Sequence, residues 1–141
     1  MKDSQVSVDS SFLLKIFLPE ENSKEAEKLW LQWIEDSVEV VAPTLIVFES
    51  SSVLRNNAFR GVIAEDIADT LIVHLKELDI KLVYTEDLLL EAWELGKVLK
   101  SPTLYDCFYL ALSRFLNIPL WTADKKLYTA AKSFFPAINL L

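Results

Sequence analysis

Glycine, cysteine, histidine and basic charge are all scarce in this chain. Two glycines and five prolines among 141 residues leave few places where the backbone can turn freely. Short connections and abundant helix are therefore expected. The single cysteine, Cys107, excludes an intrachain disulfide and suits a reducing compartment, so the expected location is the cytoplasm. No apolar run approaches the roughly 20 residues that cross a bilayer. Met1-Lys2-Asp3-Ser4-Gln5 has neither the apolar stretch nor the small-residue cleavage site of a signal peptide. No membrane role is expected. Fourteen lysines and arginines against 21 acids give a net charge of −7, which argues at first against a nucleic-acid partner. What the chain does have is apolar residues. A hydrophobic fraction of 52%, with 11% aromatic, excludes disorder and supplies a core for one domain, 1–141.

The apolar pattern alternates between short strands and helices. Strands are expected over 5–9, 38–41, 80–84, 119–122 and 137–141. Helices are expected over 10–17, from Ser23 as N-cap, and over 44–60, 64–78, 86–99, 104–116 and 126–135. In the second helix Ala26, Leu29, Trp30, Trp33 and Ile34 recur at helical spacing, and Gly61 closes the third. Strands alternating with helices predict an α/β sandwich: a mostly parallel central sheet of four or five strands flanked by helices. No repeat, linker or low-complexity segment interrupts it.

Four acids fall where such a sheet gathers ligands, outside the carboxyl ends of strands and at the starts of helices. Asp9 closes the first strand, and Asp124 follows the fourth by one residue. Asp106 sits in the first turn of its helix, where the macrodipole favours a carboxylate. Glu49 lies in the helix after the second strand, among Leu45, Ile46, Val47 and Phe48. Clustered carboxylates repel unless a cation holds them, and oxygen ligation suits Mg²⁺ or Mn²⁺. Such a site can activate water and stabilise charge on a phosphodiester. These four account for −4 of the −7, leaving −3 elsewhere, and bound divalent cations would offset most of the local charge. Taken singly, each acid is more ordinarily a helix cap or a solvated charge.

The sequence around the acids adds a resemblance. Val8-Asp9-Ser10-Ser11, the run Tyr105-Asp106-Cys107-Phe108-Tyr109-Leu110-Ala111-Leu112, and Leu120-Trp121-Thr122-Ala123-Asp124-Lys125-Lys126-Leu127 resemble the acidic motifs of PIN-domain nucleases. They are most similar to those of the short VapC-like toxins. The stretch from Pro43-Thr44-Leu45 to Glu49 resembles that family's glutamate segment, and the likeness runs from about residue 6 to the C-terminus. It implies a PIN-like three-layer sandwich. It also implies that Asp9, Glu49, Asp106 and Asp124 bind metal and carry catalysis, with Ser10 and Thr122 as supporting hydroxyls behind them. The implied activity is Mg²⁺- or Mn²⁺-dependent endoribonuclease cleavage, in which a metal-activated water attacks the phosphorus. The implied partners are an RNA substrate, a small antitoxin protein and a second copy of the chain in a homodimer. Ser52, Cys107 and Ser113 depart from the residues usual in that family. None of these departures removes an acid, so they bear on how the acids are oriented.

Other residues read more plainly. His74 has no cysteine or aspartate at ligand spacing and is expected at the surface. Cys107 is expected as a small core residue. Trp30, Trp33, Trp93 and Trp121 suit core packing or a protein interface better than base stacking. Arg55, Arg60, Lys125 and Lys126 are either RNA-phosphate contacts or ordinary solvated charge. Glu86, Asp87, Glu91 and Glu94 suit a solvated helix face. A phosphotransfer receiver would need adjacent acids after the first strand, and an aspartate-nucleophile phosphatase would need Asp where Ser11 stands. Both fit poorly. The remaining alternative is a PIN-fold binding module with little turnover, acting through protein or RNA recognition.

Overall fold

The computed structural model describes residues 4–141; Met1, Lys2 and Asp3, part of the segment expected to lack signal-peptide features, lie outside the described residues. The chain runs β1 (Gln5–Val8), α1 (Ser10–Phe17), α2 (Ser23–Glu35), β2 (Glu39–Pro43), α3 (Leu45–Phe59), α4 (Glu65–Glu77), β3 (Lys81–Val83), α5 (Glu86–Leu99), α6 (Tyr105–Leu116), β4 (Leu120–Thr122), α7 (Lys125–Ala131) and β5 (Ile138–Leu140). All four strand pairings are parallel, in the order β3-β2-β1-β4-β5. The sheet therefore has five strands and is wholly parallel, where the sequence predicted mostly parallel. With this strand order, the right-handed crossover rule for parallel strands puts α1–α4 on one face and α5–α7 on the other, a three-layer PIN-like sandwich.

The central strand shows why the pattern reads as it does. In β1, Val6 and Val8 are buried on one face and Ser7 on the other, as expected when helices cover both sides. Phe12 from α1 stacks on Trp33 from α2, and Trp121 from β4 closes the aromatic group on that face. On the opposite face α6 buries Cys107, Tyr109, Leu110, Ala111 and Leu112 against β1, β2 and β4. Helix α5 comes close to α6 at Gly96, where a Cβ would meet Leu104 Cδ2 at 2.7 Å.

Several expected boundaries shift for local reasons. Ser23 opens α2 but Asn22 is its cap; the Ser23 hydroxyl instead donates to Leu18 O at 2.7 Å and accepts from Glu20 N at 2.9 Å, closing the loop before the helix. Ile34 is 62% exposed, because the buried stripe of α2 runs through Ala26, Trp30 and Trp33 and leaves it at the margin. The last helix ends at Ala131, four residues short of Phe135. Phe134 and Phe135 N–H groups both turn back to Ala131 O, tightening the chain ahead of Pro136. Cys107 is buried and His74 exposed, as expected. No described helix is long and apolar enough to cross a membrane.

Candidate active site

The strand order reverses direction at β1, which has β2 on one side and β4 on the other. The crevice at the carboxyl ends of β1 and β4 is the topological switch point of such a sheet. Asp9 follows β1 there, and Asp124 follows β4 after one residue.

Asp9 is 3% exposed and caps α1, accepting from Phe12 N at 2.9 Å. Ser11 Oγ donates to its Oδ1 at 2.6 Å, and Thr122 Oγ1 donates to its Oδ2. Backbone amides orient both hydroxyls. Ala123 N donates to Ser11 Oγ at 2.9 Å and Asp124 N to Thr122 Oγ1 at 3.0 Å, so each hydroxyl proton is left for the carboxylate. Burial still outweighs these three hydrogen bonds, and the charge of Asp106 adds to it. Together they push the Asp9 pKa up to about 6.

Asp124 caps α7, accepting from Lys126 N at 2.9 Å and Leu127 N at 3.2 Å. Asp106 lies in the first turn of α6. Its pKa is raised, first by desolvation of the carboxyl and then by the charges of Asp124 and Glu49. Glu49, half-buried on α3, accepts at Oε1 from Ser10 Oγ at 3.3 Å and from Tyr109 Oη. The four acids predicted from the sequence are thus drawn into one electrostatically linked group with Asp106 at its centre. The predicted supporting hydroxyls both touch it: Thr122 holds Asp9, and Ser10 holds Glu49.

Two contributors escaped the sequence reading. Ser11, rather than its neighbour Ser10, cradles Asp9; adjacent serines at a helix start cannot be told apart until the helix phase is known. Tyr109 holds Glu49; its place three residues after Asp106 puts it on the same helix face, but its acceptor lies 60 residues away in sequence. Of the basic residues considered for RNA contact, Arg55 is engaged with Glu65 at 3.1 Å, whereas Lys125 and Lys126 are exposed beside Asp124.

Among the described residues no three His, Cys, Asp or Glu side chains stand together as a ready-made metal cage. The donor set nevertheless fits a hard divalent cation. It consists of carboxylate oxygens, the neighbouring charges raise the proton affinity of Asp9 and Asp106, and among the described residues no lysine or arginine forms an ion pair with any of the four.

This parallel sandwich with acids at its switch point is the architecture of a PIN domain, and the PIN-domain family model matches residues 6–133. The chain belongs to that family, among the VapC-like ribonucleases. It is 30% identical over 133 residues to Ribonuclease VapC3 of Pyrobaculum aerophilum, an alignment covering 93% of this chain and 95% of that one. The fold is also that of the Mycobacterium tuberculosis VapC20 crystal structure, a sarcin-ricin-loop-cleaving toxin (TM-score 0.66, 17% identity, 89% of this chain and 94% of that one). A toxin–antitoxin complex from Klebsiella pneumoniae matches equally well (TM-score 0.66, 15% identity, 95% of both chains).

Proposed function

We propose that this chain is a Mg²⁺- or Mn²⁺-dependent endoribonuclease of the cytoplasm, the toxin of a toxin–antitoxin pair. Asp9, Glu49, Asp106 and Asp124 would hold the metal. The observation that carries this reading is the linked set of four carboxylates at the switch point with no lysine or arginine paired to them among the described residues. A bound divalent cation would offset the mutual repulsion of such a group.

When bound, the cation would lower the pKa of the attacking water and neutralise charge on the phosphodiester oxygens. The protein's part is to fix the carboxylates and orient the RNA. Asp9 is held rigidly by Ser11, Thr122 and the α1 amide of Phe12. Exposed Lys125 and Lys126, in the first turn of α7, lie beside Asp124 where a phosphate backbone would run. A small antitoxin is the expected protein partner, as in the toxin–antitoxin complex that shares this fold, and a second copy of the chain is expected in a homodimer.

The test is cleavage of several structured RNAs with Mg²⁺ or Mn²⁺, set against EDTA and against Asp9→Asn. Cleavage should need the metal and fall by at least about 10²-fold in the variant. Absence of metal-dependent cleavage, or cleavage that survives the substitution, overturns the nuclease reading and favours a binding module.

A further inference from the structure

Glu49 differs from its three companions in how it is anchored. Asp9 and Asp124 cap helices and Asp106 sits in the first turn of one, so backbone amides or a helix dipole fix or favour all three. Glu49 has no such support: it lies in the second turn of α3, and among the described residues no backbone amide donates to it. Its side chain is also one torsion longer than aspartate. What holds it is two hydroxyls on a single oxygen, Ser10 Oγ and Tyr109 Oη, both at Oε1. Oε2 has no hydrogen-bond partner among the described residues.

Tyr109 is suited to act as a fixed post. It is 1% exposed, among the largest fully buried side chains, and α6 packs on β1, β2 and β4 around it. A buried phenol that lost its acceptor would carry an unsatisfied hydroxyl, so the bond ties ring and carboxylate together. The contact links α3 to α6, elements from opposite faces of the sheet, at the edge where the acids gather.

We propose that Tyr109, assisted by Ser10, is a positioning residue that holds Glu49 by one oxygen and leaves the other free to ligate a divalent cation. The proposal rests on the metal-nuclease reading above. It assigns adjacent serines to different acids: Ser11 to Asp9, and Ser10, with Tyr109, to Glu49.

The test is Mn²⁺ affinity measured without RNA, by paramagnetic resonance titration, for wild type, Tyr109→Phe, Glu49→Gln and the double variant. Phenylalanine keeps the ring, so packing is retained and the melting temperature serves as the control. Tyr109→Phe should weaken Mn²⁺ binding on the order of 10- to 100-fold, as loss of support behind a metal ligand does. In the Glu49→Gln background the same substitution should change affinity by less than about twofold. The cleavage rate of Tyr109→Phe should recover at saturating Mn²⁺, which general structural damage would not allow. Unchanged affinity in Tyr109→Phe, or an equal loss in both backgrounds, overturns the clamp while the nuclease reading stands. If Tyr109→Phe does not fold, Ser10→Ala replaces it, with a smaller loss expected that again disappears beside Glu49→Gln; no loss overturns the proposal. A wild type that binds no Mn²⁺ and cuts no RNA overturns the nuclease reading and the clamp together.

Discussion

Asp9 illustrates how a single residue can be held firmly and still be held at a cost. Three donors converge on it, yet burial keeps its pKa near 6 against an ordinary 3.8. An acid with a native pKa above its unfolded one binds its proton more tightly in the native state. Its contribution therefore favours folding below about pH 4 and is lost as pH rises through about 6. At neutral pH without metal, the ionised carboxyl costs on the order of 2–3 kcal/mol. Asp9→Asn should therefore raise the metal-free melting temperature at pH 7 by roughly 5 °C while abolishing cleavage. The difference from wild type should shrink toward zero as the melts are repeated at successively lower pH. A variant that melts lower than wild type at pH 7 would show that the hydrogen bonds, not burial, dominate. Metal affinity should weaken below about pH 6, where the proton competes for the same oxygens.

At the scale of elements, Asp124 belongs both to the acidic group and to the start of α7. Asparagine can still accept from Lys126 N and Leu127 N, whereas alanine cannot. Asp124→Asn should keep stability to within about 0.5 kcal/mol and lose metal binding. Asp124→Ala should lose metal binding and about 1 kcal/mol of stability besides. Chemical denaturation of the two variants, run beside a metal titration, separates the cap from the ligand. Close approach of α5 to α6 matters in the same way, because α6 carries both Asp106 and Tyr109. Gly96→Val would push on Leu104 and is expected to destabilise by about 1–3 kcal/mol, read as a lower denaturation midpoint.

Across the whole molecule, apolar surface remains uncovered on α3 and α4. Phe48, Phe59 and Val62 are more than 60% exposed, Ile67, Ile72 and Val73 are also exposed, and α4 buries none of its residues. A groove of about 420 Å³ between these helices and β3 is lined by Leu13, Ile46, Leu75 and Leu82, among others, and by none of the four acids. Exposed apolar residues on two neighbouring helices are what a protein partner would cover. In keeping with the proposed homodimer, sedimentation equilibrium should return twice the chain mass at micromolar concentration. A strictly monomeric chain would overturn the homodimer and leave this surface to the proposed antitoxin. Trp93, 56% exposed on α5, fits an interface role, while Trp30 and Trp33 are core residues.

Much of this was legible in the residues themselves. Alternating apolar runs, the stop at Leu18-Pro19 and helix starts at acids and hydroxyls were enough to place all twelve elements to within a few residues. Local chemistry governs those features, so a local reading finds them. The same reading placed Asp9, Asp106 and Asp124, because strand ends and first turns are visible as positions along the chain; Glu49, in the second turn of α3, was marked by the family resemblance. Which serine meets which acid, and that Tyr109 reaches Glu49, depended on helix phase and on contacts 39 and 60 residues apart in sequence, so only the tertiary structure could decide them. Charge follows the same division. The excess of acid was evident from composition, but its concentration at the switch point, unpaired by base among the described residues, required the strand order 3-2-1-4-5.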